Sequence, residues 1–398
     1  MSASCVDPDW RTAYRALGHR FKKRRLWANL LKPLLNVRLP KAPSVTPKTL
    51  LLVRLDRVGD YVLFRNYLPD LRAAFADWQI TLCGNRVYRD LAETLDGEWV
   101  DRFIWIDRNR FVKQRAYHLA LLTKIYRSGF ALAVQPAYSR DPFADLIVWA
   151  SQAPERIGVD GDPAPQSPRQ REISDAFYTR LLAVDVRPKF EFWRNREIVE
   201  HITGRSSLAE KPQLTLPQRV DVDLPTGDYA VLVPGAGSRH KVWRGFGAVA
   251  EELHRRYGLP IVVVGSGRQD REAVNSAFNR RQRHAVLNYC DRTTLVQLAA
   301  LLQRATMVIA NDTAAVHMAA ALGRPTIGVS AGNNAFRFNE YPPEFGFNVR
   351  FLFPPRVERL RETKDFAHHF TEYSEIDDLQ TITVERVCRA ADEMLTHE

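Results

Sequence analysis

The sequence has few cysteines and no long apolar segment. Only four of its 398 residues are cysteine, and Cys5, Cys83, Cys290 and Cys388 show neither metal-ligand spacing nor that of a disulfide framework. No apolar run approaches the roughly 18 residues that a membrane-spanning helix needs, and the first residues do not form the apolar stretch of a signal peptide. We therefore expect a cytoplasmic protein without a zinc site, a disulfide bond or a membrane span.

Glycine-rich nucleotide motifs are also absent. The turn at residues 56–60 has one glycine, so it matches neither the three-glycine dinucleotide fingerprint nor the Gly-Lys-Ser/Thr of a phosphate-binding P-loop. The stretch from Gly265 begins like such a fingerprint, but Asp270 replaces its third glycine. The pair Asp221 and Asp223 lies in a proline-rich stretch, where we do not expect it to bind a metal. The sequence therefore gives no support to a nicotinamide cofactor or ATP, and we expect no cofactor.

The length predicts more than one domain. A chain of 398 residues is too long for one ordinary domain, and its 45% hydrophobic content is typical of a soluble globular protein. The predicted divisions are a basic arm (1–48), a first domain (49–211), a proline-rich linker (212–226), a second domain (227–365) and a C-terminal helical segment (366–398). Whether that last segment returns to the first domain is left open.

The positive charge is concentrated near the N-terminus. Residues 1–48 contain eleven Lys or Arg and two Asp, and so carry +9 of the formal net charge of +11. Apolar residues recur there at steps of three or four, which is typical of an amphipathic helix on an anionic membrane surface. We assign that contact to residues 8–35. A solvated basic helix docked on its own domain or on a partner is the alternative, and nucleic acid is not expected.

Strand and helix patterns alternate along both domains. This alternation predicts the α/β class, with parallel sheets covered by helices. The predicted strands are 49–55, 79–83, 102–106, 131–135, 154–158, 228–233, 259–264, 284–287, 305–310 and 326–330. The predicted helices include 112–127, 174–183, 313–322 and two that begin near residues 246 and 293.

The stretch Asn311 to Gly328, NDTAAVHMAAALGRPTIG, is the strongest functional pattern. It combines the end of a buried strand, a polar turn, a small-residue helix and the next strand. With Asp312 or Thr313 as N-cap, the first-turn amides point beyond the strand ends, where phosphates bind in open α/β sheets. A capped helix without a ligand fits the spacing equally well. His317 either faces a ligand or packs as a hydrogen-bonded histidine.

A loop of small residues follows the first strand of the second domain. Its sequence is Pro234-Gly235-Ala236-Gly237-Ser238, and its amides can approach a ligand closely. Lys241 and Arg244 follow this loop. A mobile lysine charge and a forked guanidinium suit a diphosphate, whereas a connecting loop with solvated basic side chains is the alternative.

An aspartate follows the first strand of the first domain. Asp60 lies in a predicted helix start, so we expect its carboxylate on the rim of a cleft. An ionised carboxylate there could accept a proton from a hydroxyl group, although helix capping is the more common role of such a residue.

Together these segments resemble glycosyltransferase family nine, the bacterial heptosyltransferase family of lipopolysaccharide assembly. The resemblance covers residues 49–330 and rests on four stretches in the same order. These are LLVRLDRVGDYVLFRNYLPDLR (Leu51 to Arg72), VLVPGAGSRHKVW (Val231 to Trp243), IVVVGSGRQDREAV (Ile261 to Val274) and NDTAAVHMAAALGRPTIG. It implies two Rossmann-like domains facing across a cleft, the B-type glycosyltransferase architecture, with the acceptor in the N-terminal domain and a nucleotide-sugar in the C-terminal one.

The resemblance also implies roles for individual residues. Asp60 matches the general base and Lys241 the lysine that meets the donor diphosphate. The other residues implied at the donor site are Gly235, Ala236, Gly237, Ser238, Asp312, Thr313, Ala314 and His317. Arg54 and Arg57 are expected to contact the acceptor, and no active-site metal is implied.

The expected function is inverting, metal-independent transfer of a heptose or similar sugar. The donor is a nucleoside-diphosphate sugar, and the acceptor is an anionic glycolipid or glycan, such as a lipopolysaccharide core. The expected location is peripheral, on the inner membrane face. A sugar-nucleotide epimerase or hydrolase of the same fold and a non-catalytic membrane-associated scaffold are the alternatives.

Overall fold

The computed structural model describes residues 44–162, 166–333, 335–361 and 378–396. The basic arm up to residue 43, including the expected membrane contact at residues 8–35, lies outside them. The chain divides into two compact units. The first contains the chain up to Arg57, Tyr67–Arg187 and Arg194–Leu208, and the second contains Val58–Asn66, Pro188–Trp193 and Ala209 onward.

The first unit is built on a parallel sheet. Its strands are β1 (Thr46–Arg54), β2 (Gln79–Asn85), β3 (Arg102–Ile106), β4 (Phe130–Val134), β5 (Glu155–Asp160) and β6 (Arg180–Ala183). Over the described residues the strand order is β3-β2-β1-β4-β5-β6. The central strand β1 pairs with both β2 and β4, so that Leu51 lies opposite Thr81 and Ala133. Burial on both faces explains why β1 reads as a continuous apolar run rather than an alternating one.

The second unit repeats this architecture. Its strands are β7 (Ala230–Val233), β8 (Ile261–Val263), β9 (Leu287–Asn288), β10 (Met307–Asn311), β11 (Thr326–Val329) and β12 (Val349–Leu352). Their order in the described part of the chain is β12-β11-β10-β7-β8-β9, again with parallel pairing. The prediction of an α/β protein with two Rossmann-like domains is therefore confirmed.

Helices connect the strands of both sheets. They are α1 (Val58–Phe64), α2 (Leu68–Ala74), α3 (Arg89–Leu95), α4 (Arg108–Lys113), α5 (Arg115–Arg127), α6 (Pro142–Ser151), α7 (Pro168–Asp175), α8 (Glu191–Thr203), α9 (Phe246–Tyr257), α10 (Gly267–Ala277), α11 (Arg280–His284), α12 (Leu295–Arg304), α13 (Ala314–Ala321), α14 (Pro355–Arg361) and α15 (Val384–Leu395). In the described ranges no helix combines the length and apolar character needed to cross a bilayer.

The last helix belongs to the second unit. Val387, Ala391 and Met394 of α15 lie in the same buried cluster as Trp243 and Phe246. At its end, Asp392 pairs with Arg256 of α9 at 2.6 Å. Of the predicted C-terminal segment, the described helix α15 therefore contributes to the core of the second unit.

One predicted helix is wrong. Residues 174–183 were expected to be helical, but α7 ends at Asp175 and β6 begins at Arg180. Leu181 lies opposite Gly158 of β5, so hydrogen bonding to the sheet edge decides the conformation of this segment. The actual helix begins earlier because the capping box of Ser167 and Gln170 starts it.

The helix that follows β1 groups with the second unit. The predicted first domain, 49–211, included α1. In the structure α1 belongs to the second unit, where it packs against α13. A Cβ atom on Gly59 would lie 2.8 Å from Cδ2 of His317 and 3.5 Å from Cα of Ala314. The two helices therefore approach this closely because residue 59 has no side chain.

Candidate active site

The first turn of α1 meets α13 in the second unit. Asp60 lies in that turn, next to Gly59, whose Cα faces the His317 ring. His317 is only 6% exposed, and the negative charges of Asp312, Asp60 and Glu191 all act on its ring. The structure thus brings together Asp60 and His317, which lie more than 250 positions apart in the sequence.

His317 is kept neutral by its surroundings. Burial lowers the pKa of its imidazole below the ordinary value, and the three neighbouring carboxylates only partly oppose this effect. Nδ1 of His317 lies 2.7 Å from the hydroxyl of Tyr341. Burial of that phenol, together with the charge of Asp312, raises the pKa of Tyr341 well above its usual range. Both groups are therefore uncharged near neutral pH.

Asp312 is held between a cation and an amide. Its Oδ2 atom lies 3.5 Å from Nζ of Lys241, and its Oδ1 atom accepts a 3.1 Å hydrogen bond from Nδ2 of Asn339. Oγ of Ser330 in turn donates to Oδ1 of Asn339 at 3.0 Å. These hydrogen bonds fix the orientation of the Asp312 carboxylate, and its ion pair keeps the Lys241 ammonium beside the start of α13.

The start of α13 has no side-chain cap. Thr313 occupies the N-cap position, but its side chain accepts no hydrogen bond from the first turn. Its buried Oγ1 atom has no hydrogen-bond partner among the described residues. Ala314, with only a methyl side chain, is the first helical residue. An N-terminus of this kind favours an anion through its amide donors and the helix dipole.

One buried side chain, Asn311, holds the segment 234–243, which begins with the small-residue loop, at both ends. Asn311 donates from Nδ2 to the carbonyl of Pro234 at 2.7 Å and accepts from the amide of Trp243 at 3.2 Å. The middle of the loop is supported by Gln269, which donates to the carbonyl of Ala236 at 2.9 Å. These bonds fix the backbone of the loop relative to β10 and α10.

Asp270 explains why the Gly265 motif departs from a dinucleotide fingerprint. Its carboxylate accepts from the amide of Ser266 at 2.8 Å and lies where a Cβ atom on Gly235 would be, 2.4 Å away. Burial raises the pKa of this carboxyl. Asp270 therefore fills the space between two glycine turns, a structural role the sequence did not reveal.

The basic residues after the loop differ in their surroundings. Arg239 pairs with Glu272 of α10 at 2.7 Å, and His240 is exposed. Lys241, with 31% of its side chain exposed, pairs with Asp312. Lys241 therefore forms an ion pair at the start of α13, whereas Arg239 pairs with a residue of α10.

The two expected acceptor residues, Arg54 and Arg57, lie in the first unit. Arg54 is 1% exposed, donates to the carbonyl of Pro136 at 2.5 Å and pairs with Asp56 at 2.7 Å. The hydroxyl of Tyr88 donates to the carbonyl of Arg54. Arg54 thus ties the end of β1 to the chain after β4, whereas Arg57 is exposed.

Among the residues that the structure describes, no group of three or more His, Cys, Asp or Glu side chains is placed to hold a metal ion. Metal independence itself stays a prediction.

A family model decides the classification. The model described as glycosyltransferase family 9 (heptosyltransferase) matches residues 144–344, about half of the chain. The chain belongs to glycosyltransferase family 9. This confirms the family predicted from the four motifs and, with it, the predicted glycosyltransferase class.

One curated protein matches part of the chain. Lipopolysaccharide heptosyltransferase 3 from Escherichia coli is 31% identical over 104 residues, which is 26% of this chain and 31% of that protein. The chain thus matches only about a third of the length of this curated relative.

Two solved structures share the fold over nearly their whole length. A family 9 glycosyltransferase from Veillonella parvula has a TM-score of 0.64 at 16% identity, covering 90% of this chain and 99% of the other. The Escherichia coli heptosyltransferase WaaC with ADP-2-deoxy-2-fluoro heptose also has a TM-score of 0.64, at 18% identity, covering 87% and 99%.

Several site residues of this family 9 protein were not expected from the sequence. They surround a π-helical turn, Ala335–Asn339, which follows β11. Arg337 of this turn forms a buried pair with Glu191, and Asn339 reaches Asp312. Two residues later, Tyr341 reaches His317. The only sequence signal was a concentration of aromatic and amide residues after Gly332, and nothing in its spacing predicts a π-helical turn.

Proposed function

We propose that this protein is an inverting glycosyltransferase that moves a heptose or similar sugar from a nucleoside-diphosphate sugar to an anionic glycan acceptor. The proposal rests on one observation. In the second unit, the carboxylate of Asp60 and the ion pair of Asp312 with Lys241 lie near the same buried histidine, His317. The ligand of the solved heptosyltransferase, ADP-2-deoxy-2-fluoro heptose, supports an ADP-sugar donor.

The proposed reaction is a single displacement. Asp60 accepts the proton of the acceptor hydroxyl while that oxygen forms a bond to the anomeric carbon of the donor. The bond from this carbon to the diphosphate oxygen breaks, and the nucleoside diphosphate leaves with the electron pair. Attack on the face opposite the leaving group inverts the configuration. No metal ion takes part in the proposed step.

The departing diphosphate needs positive charge and hydrogen-bond donors. Lys241 supplies a cation, and we assign further donors to the Thr313 hydroxyl and the amides at the start of α13. Gly235, Ala236, Gly237 and Ser238 form the loop whose backbone approaches the same ligand. Ala314 adds little bulk, which keeps the helix start accessible.

The acceptor and the membrane contact rest on the sequence. Arg57, exposed after β1, is the proposed contact for an anionic acceptor. Arg54 is buried, so we propose that it acts through Asp56 by holding the turn after β1. Residues 8–35 are proposed to bring the enzyme to the inner face of the cytoplasmic membrane, where a glycolipid acceptor would lie.

Two substitutions test the base and the diphosphate contact separately. Asp60→Asn keeps the shape of the side chain and removes its basicity, so turnover should fall about 10²-fold or more while ADP still binds. Lys241→Ala should weaken binding of ADP far more than that of adenosine. Asp90→Asn, in the first turn of α3, and Arg281→Ala, an exposed cation of α11, are the matched controls.

The outcomes also separate the alternatives. Near-normal turnover of Asp60→Asn would remove Asp60 from the chemistry. Equal weakening of ADP and adenosine binding by Lys241→Ala would place the lysine away from the diphosphate. Release of free sugar or an epimer in the absence of acceptor would favour the epimerase or hydrolase, and no binding of nucleotide-sugar would favour the scaffold.

A further inference from the structure

The His317 ring has different neighbours at its two edges. At one edge, Nδ1 lies 2.7 Å from the hydroxyl oxygen of Tyr341. At the other, Cδ2 and Nε2 face the first turn of α1, since a Cβ atom on Gly59 would lie 2.8 Å and 3.6 Å from them. Asp60 is the next residue of that turn. Nδ1 therefore faces the phenol of Tyr341, and Nε2 faces the first turn of α1.

The contact with Tyr341 bears on which ring nitrogen carries the proton. A neutral imidazole has one N–H donor and one acceptor nitrogen. The phenol of Tyr341 keeps its proton and lies within hydrogen-bond distance of Nδ1, to which it can donate. Asp60 lies on the turn that Nε2 faces and is one of the carboxylates that act on the ring. Asp312 and Glu191 are the other charged groups acting on His317.

Tyr341 is held in place by aromatic packing. Its ring centroid lies 4.7 Å from that of Phe190, 5.9 Å from that of Phe347 and 6.5 Å from that of Phe351, the last ring being nearly parallel. A tyrosine packed on several sides has little freedom to turn its hydroxyl away, so its hydrogen bond can fix the orientation and protonation of the histidine.

We propose that Tyr341 is a positioning residue for sugar transfer, because its hydroxyl donates to Nδ1 of His317 and keeps the histidine in the tautomer with a proton on Nε2. This tautomer presents a neutral N–H donor at the edge that faces the turn of Asp60. The proposal rests on the transfer reaction proposed above, but the tautomer can be measured without any turnover.

The test compares Tyr341→Phe with Tyr229→Phe. Tyr229 is a matched control, because it is 1% exposed in the same unit and donates at 2.8 Å to the carbonyl of Leu301, away from His317. The imidazole nitrogen shifts of the ¹⁵N-labelled full-length protein report the tautomer, and His317→Gln assigns the signals. Turnover and the donor KM are measured on the same proteins.

We expect the Nε2–H tautomer in the wild type and in Tyr229→Phe, and a mixture of tautomers in Tyr341→Phe. Turnover of Tyr341→Phe should fall on the order of 10-fold, the effect of one hydrogen bond, while the donor KM stays within about twofold. A wild-type proton on Nδ1, or an unchanged tautomer in Tyr341→Phe, overturns the assignment whatever the activity. A changed tautomer with normal turnover overturns the role in transfer. Failure of the transfer proposal itself is seen separately, in Asp60→Asn.

Discussion

Replacing Glu191 by Gln should destabilise the second unit strongly. Glu191 lies in the first turn of α8 and accepts two hydrogen bonds from Arg337, from Nε at 2.5 Å and from Nη2 at 3.1 Å. The side chains are 3% and 9% exposed. The substitution removes the carboxylate charge and leaves the Arg337 guanidinium buried next to a neutral amide.

The expected magnitude follows from this burial. Breaking a buried ion pair by changing one partner costs about 3–5 kcal/mol, mainly because the remaining charge is no longer compensated. In a unit of this size, each kcal/mol lowers the melting temperature by roughly 2–4 °C. Glu191→Gln should therefore lower it by roughly 6–20 °C, as measured by thermal unfolding and by the midpoint of urea unfolding.

An exposed pair provides the control. Glu272 pairs with Arg268 at 2.8 Å on α10 and with Arg239 at 2.7 Å, and all three side chains are exposed to solvent, so Glu272→Gln should change the melting temperature little. The double variant Glu191→Leu with Arg337→Met should recover much of the loss, because it leaves no buried charge. A cost for Glu191→Gln as small as that of Glu272→Gln would refute the reasoning.

Two further predictions concern pH and the membrane. Burial raises the pKa of Asp145 to about 6, so the folded first unit holds a proton that the unfolded chain loses near pH 4. Its stability should therefore fall as the pH rises from about 4 to about 6, by on the order of 2 kcal/mol. Asp145→Asn should remove this slope in urea unfolding, and the same slope in the variant would contradict the assignment. Deleting residues 1–43 should abolish low-salt co-sedimentation with anionic vesicles, since each basic residue near the surface contributes about 1 kcal/mol. A full-length protein that ignores such vesicles would exclude the membrane contact.

The sequence alone determined the class of fold and the family, and it identified the segments that we propose as the donor site. Buried parallel strands have continuous apolar runs, and helix starts and glycine turns have local signatures, so these features can be read from neighbouring residues. The stretch NDTAAVHMAAALGRPTIG was identified in this way as a strand, turn and helix. The alternation of elements likewise predicted two Rossmann-like domains.

Tertiary structure decided which distant residues meet. Glu191 and Arg337 are 146 positions apart, and their pairing leaves no local periodicity. The contact of α1 with α13 also leaves no local periodicity, and it depends on residue 59 being glycine. The edge strand β6 formed where local pattern predicted helix, because hydrogen bonds to β5 outweigh intrinsic propensity. Such contacts depend on how the whole chain packs, so only the folded structure identifies Asn339 and Tyr341 as neighbours of Asp312 and His317.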